Sequence, residues 1–312
     1  MRRPLIIDCD PGADDAVLIL MALASPQDFD VLGITTVSGN APIHWINKNA
    51  LKILELSKRT DVKVFGGCGR PILRKPVYAA HVHGESGIDG ASLPEPENSI
   101  QPQHAVDFII ETLLHSAQKV TLSVSGPMTN IALALIKEPD IAKNIEEIIF
   151  MGGSTNGGNI TAAAEFNFYV DPHAAYIVVS SGIPMRMIGL NVTHQLVTSE
   201  ERLRKLNSMG NEVGRQVAGM LTHGVDSDIT RLGLLGRSVH DACIAAYMLR
   251  PDLFTFKKMN VIVDHSNEAS IGASIVNEYP AHIQDHWIWV ADTIRADQAF
   301  DLIIDLMRTY RD

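Results

Sequence analysis

Cysteine is scarce in this chain. The three present, Cys9, Cys68 and Cys243, are far apart, odd in number and form no CxxC pair. That argues against a disulfide framework and a zinc-thiolate site. Positive charge is also short: 26 Lys and Arg against 36 Asp and Glu leave a formal charge of −10. The basic stretches are as brief as Arg2-Arg3 and Lys257-Lys258, so neither nucleic acid nor an anionic membrane is an expected partner. No apolar run reaches the roughly 18 residues of a membrane span. Arg2 and Arg3 open the chain, but the apolar run behind them stops at Asp8, too early for a secretory core; the expected compartment is the reducing cytoplasm. Neither GxGxxG nor GKS/T is present to bind a nucleotide phosphate.

What is present is an ordinary globular composition, 46% apolar and 20% charged over 312 residues, enough to bury a large core without staples. Short apolar runs alternate with helical patterns. LIIDCD at 5–10, VLGITTV at 31–37, VKVFGG at 62–67, VTLSVSG at 120–126, EEIIFMGG at 146–153 and MRMIGL at 185–190 read as strands. Residues 45–56, 105–115, 130–136 and 172–180 read as the helices between them. This alternation predicts a Rossmann-like α/β fold: an open, mostly parallel sheet with helices on both faces. After Thr198 the pattern turns mainly helical over 199–221, with Ser199 as a cap, and a further helix is expected at 241–249. Strands at 260–264 and 287–291 and a helix at 296–307 close the chain. No linker, repeat or low-complexity run divides it, so residues 1–312 are expected to form one domain with a helical elaboration in the C-terminal half. The proline-bearing loop at 70–101 is too long for a plain connector and is expected to be functional or mobile.

The chemistry concentrates at strand ends. Asp8, Asp10, Asp14 and Asp15 lie within eight residues, broken by Pro11-Gly12. Asp8 and Asp10 fall at the carboxyl end of the first strand, where open α/β sheets bind ligands. Asp14 and Asp15 fall in the first turn of the next helix, where capping and the helix dipole explain one or two carboxylates but not four. Packed carboxylates repel unless a cation neutralises them, and an all-oxygen set suits Ca²⁺ or Mg²⁺. Asn40, Ser125, Met151, Glu165, Asn167 and Asp241 follow other strands or open helices; a pocket lined with such groups suits a polyhydroxylated ligand. Each also has a plainer reading: Asn40 as a turn former, Met151 as packing, His240 as a core histidine. Asp171 before Pro172 reads first as a helix cap. His81-Val82-His83-Gly84-Glu85 imitates a zinc spacing, but a lid over the pocket explains it equally well. A strand followed by DxD also fits an aspartyl phosphatase with Asp8 as nucleophile and Asp10 as acid, although Pro11-Gly12 breaks that pattern. A non-catalytic nucleoside or ribose binder is the remaining alternative.

DCDPGADDA at 8–16 resembles the signature of the inosine-uridine-preferring nucleoside hydrolases. The resemblance continues in order through TTVSGN, HVHGESGIDG, SVSGPMTNIA, IIFMGG, AEFNFYVDPHAA, GLNVTHQ and VHDACIA, nearly the whole chain. It implies a Ca²⁺-dependent homodimer or homotetramer that cleaves purine and pyrimidine ribonucleosides in catabolism and salvage. Carried over by motif, the calcium ligands are Asp10, Asp15, Asp241 and the Ser125 carbonyl, with Asp8 behind them. Asp14, Asn40, Glu165, Asn167 and Asp241 hold the ribose, and Met151 and Asn159 line the pocket. Asp10 is the implied base. His240 corresponds to an acid used toward purines, and His83 to a histidine of the pyrimidine pocket; the base is expected to be walled by the loop of His83 and by residues 222–237. Three positions depart from the common pattern: Ser125 where Thr is frequent, Asn191 where Asp is frequent, and residues 263–277, which lack the usual Thr/Gly-rich run.

Overall fold

The structure, a computed structural model, describes residues 2–223, 225–279 and 286–312, without the side chains of 225–228. Its first half is built from strands β1 (Arg3–Cys9), β2 (Phe29–Thr36), β3 (Val64–Gly66), β4 (Val120–Val124), β5 (Ile145–Met151) and β6 (Met185–Ile188). Three antiparallel-region strands follow: β7 (Phe254–Val263), β8 (Ser274–Asn277) and β9 (Trp287–Ile294). They form one sheet in the order β3-β2-β1-β4-β5-β6-β9-β7-β8. Strands β1 to β6 and β9 run parallel, and β7 pairs antiparallel with both β8 and β9. The first six are in the doubly wound order that reverses direction between β1 and β4, and a crevice opens at the carboxyl ends there.

The helices are α1 (Ala13–Leu23), α2 (Ile43–Leu56), α3 (Ala80–His83), α4 (Ala105–His115), α5 (Thr129–Lys137), α6 (Phe166–Val170) and α7 (Pro172–Val179). After β6 come α8 (Leu190–Thr193), α9 (Glu200–Asn207), α10 (Glu212–Thr222), α11 (Val225–Leu232), α12 (Ala242–Leu249) and the last helix, α13 (Ala296–Met307). Two cores result. Leu5, Ile7 and Cys9 of β1 pack with α1, α10, α12 and α13, whereas Ile6 packs with α4, α5 and α7 on the other face. Because the strand is covered on both sides, its apolar residues run without alternation. Helices on both faces, as the sequence implied, are therefore a consequence of where these side chains are buried.

Several boundaries differ from the sequence reading. The third strand shrinks to Val64–Gly66 at the sheet edge, and β7 extends back to Phe254 because its first residues pair with β9. The expected helical run at 199–221 is two helices. Ser199 caps the first, accepting from the Arg202 N–H at 3.2 Å, and Asn211 caps the second, accepting from the Gly214 N–H at 2.8 Å. Residues 263–277 carry a tight turn in which Asp264 accepts from the N–H groups of Ser266 and Asn267, then β8. The long loop at 70–101 contains α3 and is fastened to α10: Ser92 donates its N–H to Gln216 Oε1 at 2.7 Å, and the Gly90 and Gly219 backbones meet too closely for a Cβ on either.

Asn211 ties the elaboration to the C-terminal helix. Its Nδ2 donates to the Met307 and Tyr310 carbonyls at 2.9 and 3.0 Å while its Oδ1 caps α10. Asn211→Ala removes the cap and leaves carbonyls underpaired, a loss of about 2 kcal/mol. A fall of a few degrees in Tm is the expected result; an unchanged Tm in a thermal melt would contradict this role.

Candidate active site

The β1–α1 turn carries the carboxylates into the crevice between β1 and β4. Asp8 stays in the sheet: it is fully buried, and its Oδ1 accepts from Thr35 Oγ1 at 2.6 Å and Asn130 Nδ2 at 2.8 Å. Both bonds hold it inside the sheet, and it does not line the cleft. Asp10 lies two residues further, just past the end of β1. Its Oδ2 accepts the Asn40 N–H at 2.7 Å, Asn40 Nδ2 donates to the Asp10 carbonyl at 3.0 Å, and Oδ1 is buried without a partner among the described residues. Glycine is required on both flanks of this carboxylate: a Cβ on Gly39 would stand 2.1 Å from Oδ2, and one on Gly126 2.8 Å from Oδ1.

Asp15 performs the capping that the sequence allowed for one of the four. Its Oδ2 accepts the Gly12 N–H at 2.9 Å, and its Oδ1 accepts the Ser125 hydroxyl at 2.7 Å. Asp241 begins α12 yet makes no side-chain cap, so its carboxylate is available to the cleft. Oxygens of Asp14, Asp15 and Asp241 come within 4.8 Å of one another, and Asp14 Oδ1 has no partner among the described residues. The tightest group thus includes Asp14, with Asp10 beside it. Ser125 presents its carbonyl, which accepts Asn167 Nδ2 at 2.7 Å and retains a second lone pair.

Above this floor is a partly open cleft. Ten of the residues given a catalytic, substrate or metal role from the sequence line it, Asp14, Asn40, His83, Ser125, Met151, Asn159, Glu165, Asn167, His240 and Asp241, and so does His81. Asp10 and Asp15 lie beneath. Glu165 caps α6, accepting from the N–H groups of Asn167 and Phe168, and reaches the Gly153 N–H at 3.0 Å. Asn159 Oδ1 holds the Phe166 N–H at 3.0 Å. Asp171 is the cap it resembled, accepting from the Ala174 N–H at 3.1 Å, and is also bonded to Thr129 Oγ1.

Some members of the wall escaped the sequence reading. His240 Nδ1 is 2.7 Å from Thr193 Oγ1, a partner from α8 that only the fold supplies. Arg237, Arg231, Ile160 and Phe166 also line the cleft; of these the sequence marked only the segment containing the two arginines, and of that segment residue 224 lies outside the described residues. Arg237 NH2 approaches His83 Nδ1 at 3.1 Å. Burial, and then this guanidinium, push His83 down to about 3. Asn191 fits its place as an amide: Nδ2 donates to the Ala291 carbonyl at 2.8 Å, which a carboxylate could not do.

The electrostatics of the floor favour a cation. Burial first, and then the charge of Asp14, raise Asp15 to about 7; burial alone raises Asp8 and Glu165 to about 7 against their hydrogen bonds. Asp10 and Asp241 are pushed well above the usual range, again by burial and then by neighbouring carboxylates. Buried oxygens without partners, acids destabilised as anions, and an additional backbone carbonyl fit a hard divalent ion.

A pH dependence follows. Asp8, Asp15 and Glu165 have folded pKa values near 7 and unfolded values near 4, so folding favours their neutral forms. That stability is complete below about pH 4 and is lost as pH rises through about 7. Chelated protein should therefore melt higher at pH 5 than at pH 8, and added Ca²⁺ should stabilise more at pH 8, where the acids ionise readily. An equal calcium shift at both pH values would overturn the account.

Comparison with known proteins gives the family. A profile of the inosine-uridine-preferring nucleoside hydrolases matches residues 5–301. The pyrimidine-specific ribonucleoside hydrolases RihA of Photobacterium profundum and Escherichia coli are each 42% identical over 280 residues, covering 89% of this chain and 90% of theirs. Among solved structures, a plant nucleoside hydrolase superposes with a TM-score of 0.93 at 27% identity over 99% of both chains. A purine-preferring ribonucleoside hydrolase from Gardnerella vaginalis gives 0.91 at 30% identity over 98% of both. With the profile spanning nearly its whole length, this chain belongs to the inosine-uridine-preferring nucleoside hydrolase family of enzymes.

Proposed function

We propose that the protein hydrolyses the N-glycosidic bond of purine and pyrimidine ribonucleosides to free base and ribose. The observation that carries this reading is the pair of partnerless buried oxygens, Asp10 Oδ1 and Asp14 Oδ1, at the floor of a cleft otherwise lined by hydroxyl-binding amides and carboxylates. Asp10, Asp15, Asp241 and the Ser125 carbonyl would hold Ca²⁺, which would supply a Lewis acid for the ribose hydroxyls and the attacking water. Asp10 takes the proton from that water as its oxygen bonds to C1′. Asn40 fixes Asp10 from two sides, so the base does not have to be ordered during reaction. Asp14, Asn40, Glu165, Asn167 and Asp241 hold the ribose hydroxyls, and the surrounding carboxylates favour the positive charge developing on the ring. Met151 and Asn159 shape the cleft beside the sugar.

The electrons of the broken C1′–N bond go to the base, which leaves more easily once protonated or hydrogen-bonded. His240, oriented by Thr193, gives a proton to purine N7. His83 serves pyrimidines, which have no N7, by hydrogen bonding to the base. Relatives with pyrimidine and with purine preference both exist, and this chain has a histidine for each. In this reading the enzyme works as a cytoplasmic homodimer or homotetramer in nucleoside catabolism and salvage.

Asp10→Asn should lower kcat by several orders of magnitude while keeping the fold, because it removes basicity and little volume. 2′-Deoxyuridine should be cleaved up to ~10⁴-fold less efficiently than uridine, since its absence of a hydroxyl leaves buried polar groups unpaired. Release of reducing sugar from a panel of nucleosides measures both; normal turnover by Asp10→Asn, or equal kcat/KM for the two uridines, would refute the mechanism.

His240→Ala should reduce inosine turnover by about 10²-fold or more and uridine turnover less, and His83→Ala should show the opposite bias. The check is kcat for both substrates at saturation. Equal losses in each variant would remove the leaving-group assignment.

A further inference from the structure

His83 is positioned by a partner that can act in only one direction. The Arg237 guanidinium is 2% exposed, and its NH2 group lies 3.1 Å from His83 Nδ1. Arginine has five N–H donors and no acceptor, and it does not deprotonate in proteins. His83 Nδ1 must therefore accept. An imidazole that accepts at Nδ1 is neutral and carries its hydrogen on Nε2. Nε2 has no hydrogen-bond partner among the described residues, and the ring borders the cleft. The Nδ1 edge of the ring also packs against Gly12, where a Cβ would come within 2.6 Å of Nδ1 and 2.8 Å of Cε1.

Arg237 is itself held in place. NH1 donates to the Met220 carbonyl at 3.1 Å and to the His223 carbonyl, both at the C-terminal end of α10, where a cation is favoured. Its backbone N–H donates to Thr198 Oγ1 at 3.0 Å. The guanidinium thus joins three segments distant in sequence: the α3 loop, the end of α10 and the strand-like stretch before α12.

We propose that Arg237 is a positioning residue that fixes the tautomer of His83, making His83 a permanent Nε2–H donor toward an acceptor oxygen of the substrate and not a proton source. This rests on the nucleoside hydrolase reading and narrows it: pyrimidine cleavage is assisted at a carbonyl oxygen by a neutral donor, and the only proton delivered to a base comes from His240. No covalent step is added. The donor strengthens its hydrogen bond as negative charge accumulates on the leaving carbonyl oxygen.

Two measurements test it. Neutron diffraction from crystals of the wild-type enzyme, loaded with Ca²⁺ and exchanged into D₂O near pH 7, should show deuterium on His83 Nε2 and none on Nδ1. Deuterium on Nδ1, alone or on both nitrogens, would overturn the proposal whatever the enzyme's substrate proves to be. The second is a double-mutant cycle in uridine hydrolysis. Arg237→Gln should lower kcat by about 10- to 100-fold, the scale for losing the partner that orients a site histidine. Arg237→Lys, which keeps a pure donor, should restore part of it. In a His83→Ala background Arg237→Gln should cost little more, because its effect passes through that ring. An undiminished loss in that background would show a purely structural arginine. Failure of the wild type to cleave any nucleoside would refute the activity while leaving the neutron result to decide the Arg237–His83 relation.

Discussion

The constraint on which the rest depends is the burial of five acidic groups, Asp8, Asp10, Asp14, Asp15 and Asp241, around one point where the sheet reverses its order. Solvation that a surface would provide has to be replaced from within. Some of it comes from neighbours: Thr35 and Asn130 on Asp8, the Asn40 N–H on Asp10, Gly12 and Ser125 on Asp15. Asp10 and Asp241 are left among other carboxylates, and burial with those neighbours pushes both well above the usual range, whereas Asp14, against its burial, is held below it by the charges of His83, His240 and Arg237. A site of this kind is unstable as a set of anions and complete only with a cation, so fold stability and ligand chemistry are coupled.

The crevice explains why a strand–turn–helix with so much negative charge can exist. Parallel strands covered on both faces leave only their ends open to polar side chains. Asp10, Asn40 and Ser125 follow β1, β2 and β4, adjacent strands of the sheet, so three short loops meet without any long connection. Glycines at 39 and 126 let two of those loops close on the Asp10 carboxylate, a packing that any Cβ would block. The precision of the floor is therefore a property of the sheet, which is rigid, and not of the loops themselves.

The wall is made differently. Its residues come from α3, from the stretch before α12 and from the region after β5, joined by side chains instead of a sheet ladder. Arg237, a donor only, sets the direction of the bond at His83 Nδ1, while the Thr193 hydroxyl, which can donate or accept, orients the His240 ring. Under the proposed function, sugar recognition would rest on backbone-anchored groups and base recognition on side-chain pairs, so that base preference could vary without disturbing the floor.

Much of this was legible in the residues. Alternating apolar runs predict the parallel sheet because each buried strand needs a covering helix, and four aspartates within eight residues demand an explanation that capping cannot provide. The Asp171-Pro172 and Ser199 caps are local and were readable for the same reason: their hydrogen bonds close within three residues. Tertiary structure alone decided what depends on contact between distant segments. The antiparallel β8 edge, the buried seat of Asp8 and the grouping of Asp14 with Asp15 and Asp241 have no signature at fixed spacing. Neither does the meeting of Arg237 with a histidine 154 positions away. A sequence displays which groups are available at strand ends; the direction of a hydrogen bond, and hence whether a ring is an acid or a donor, is settled only when the partner arrives through the fold.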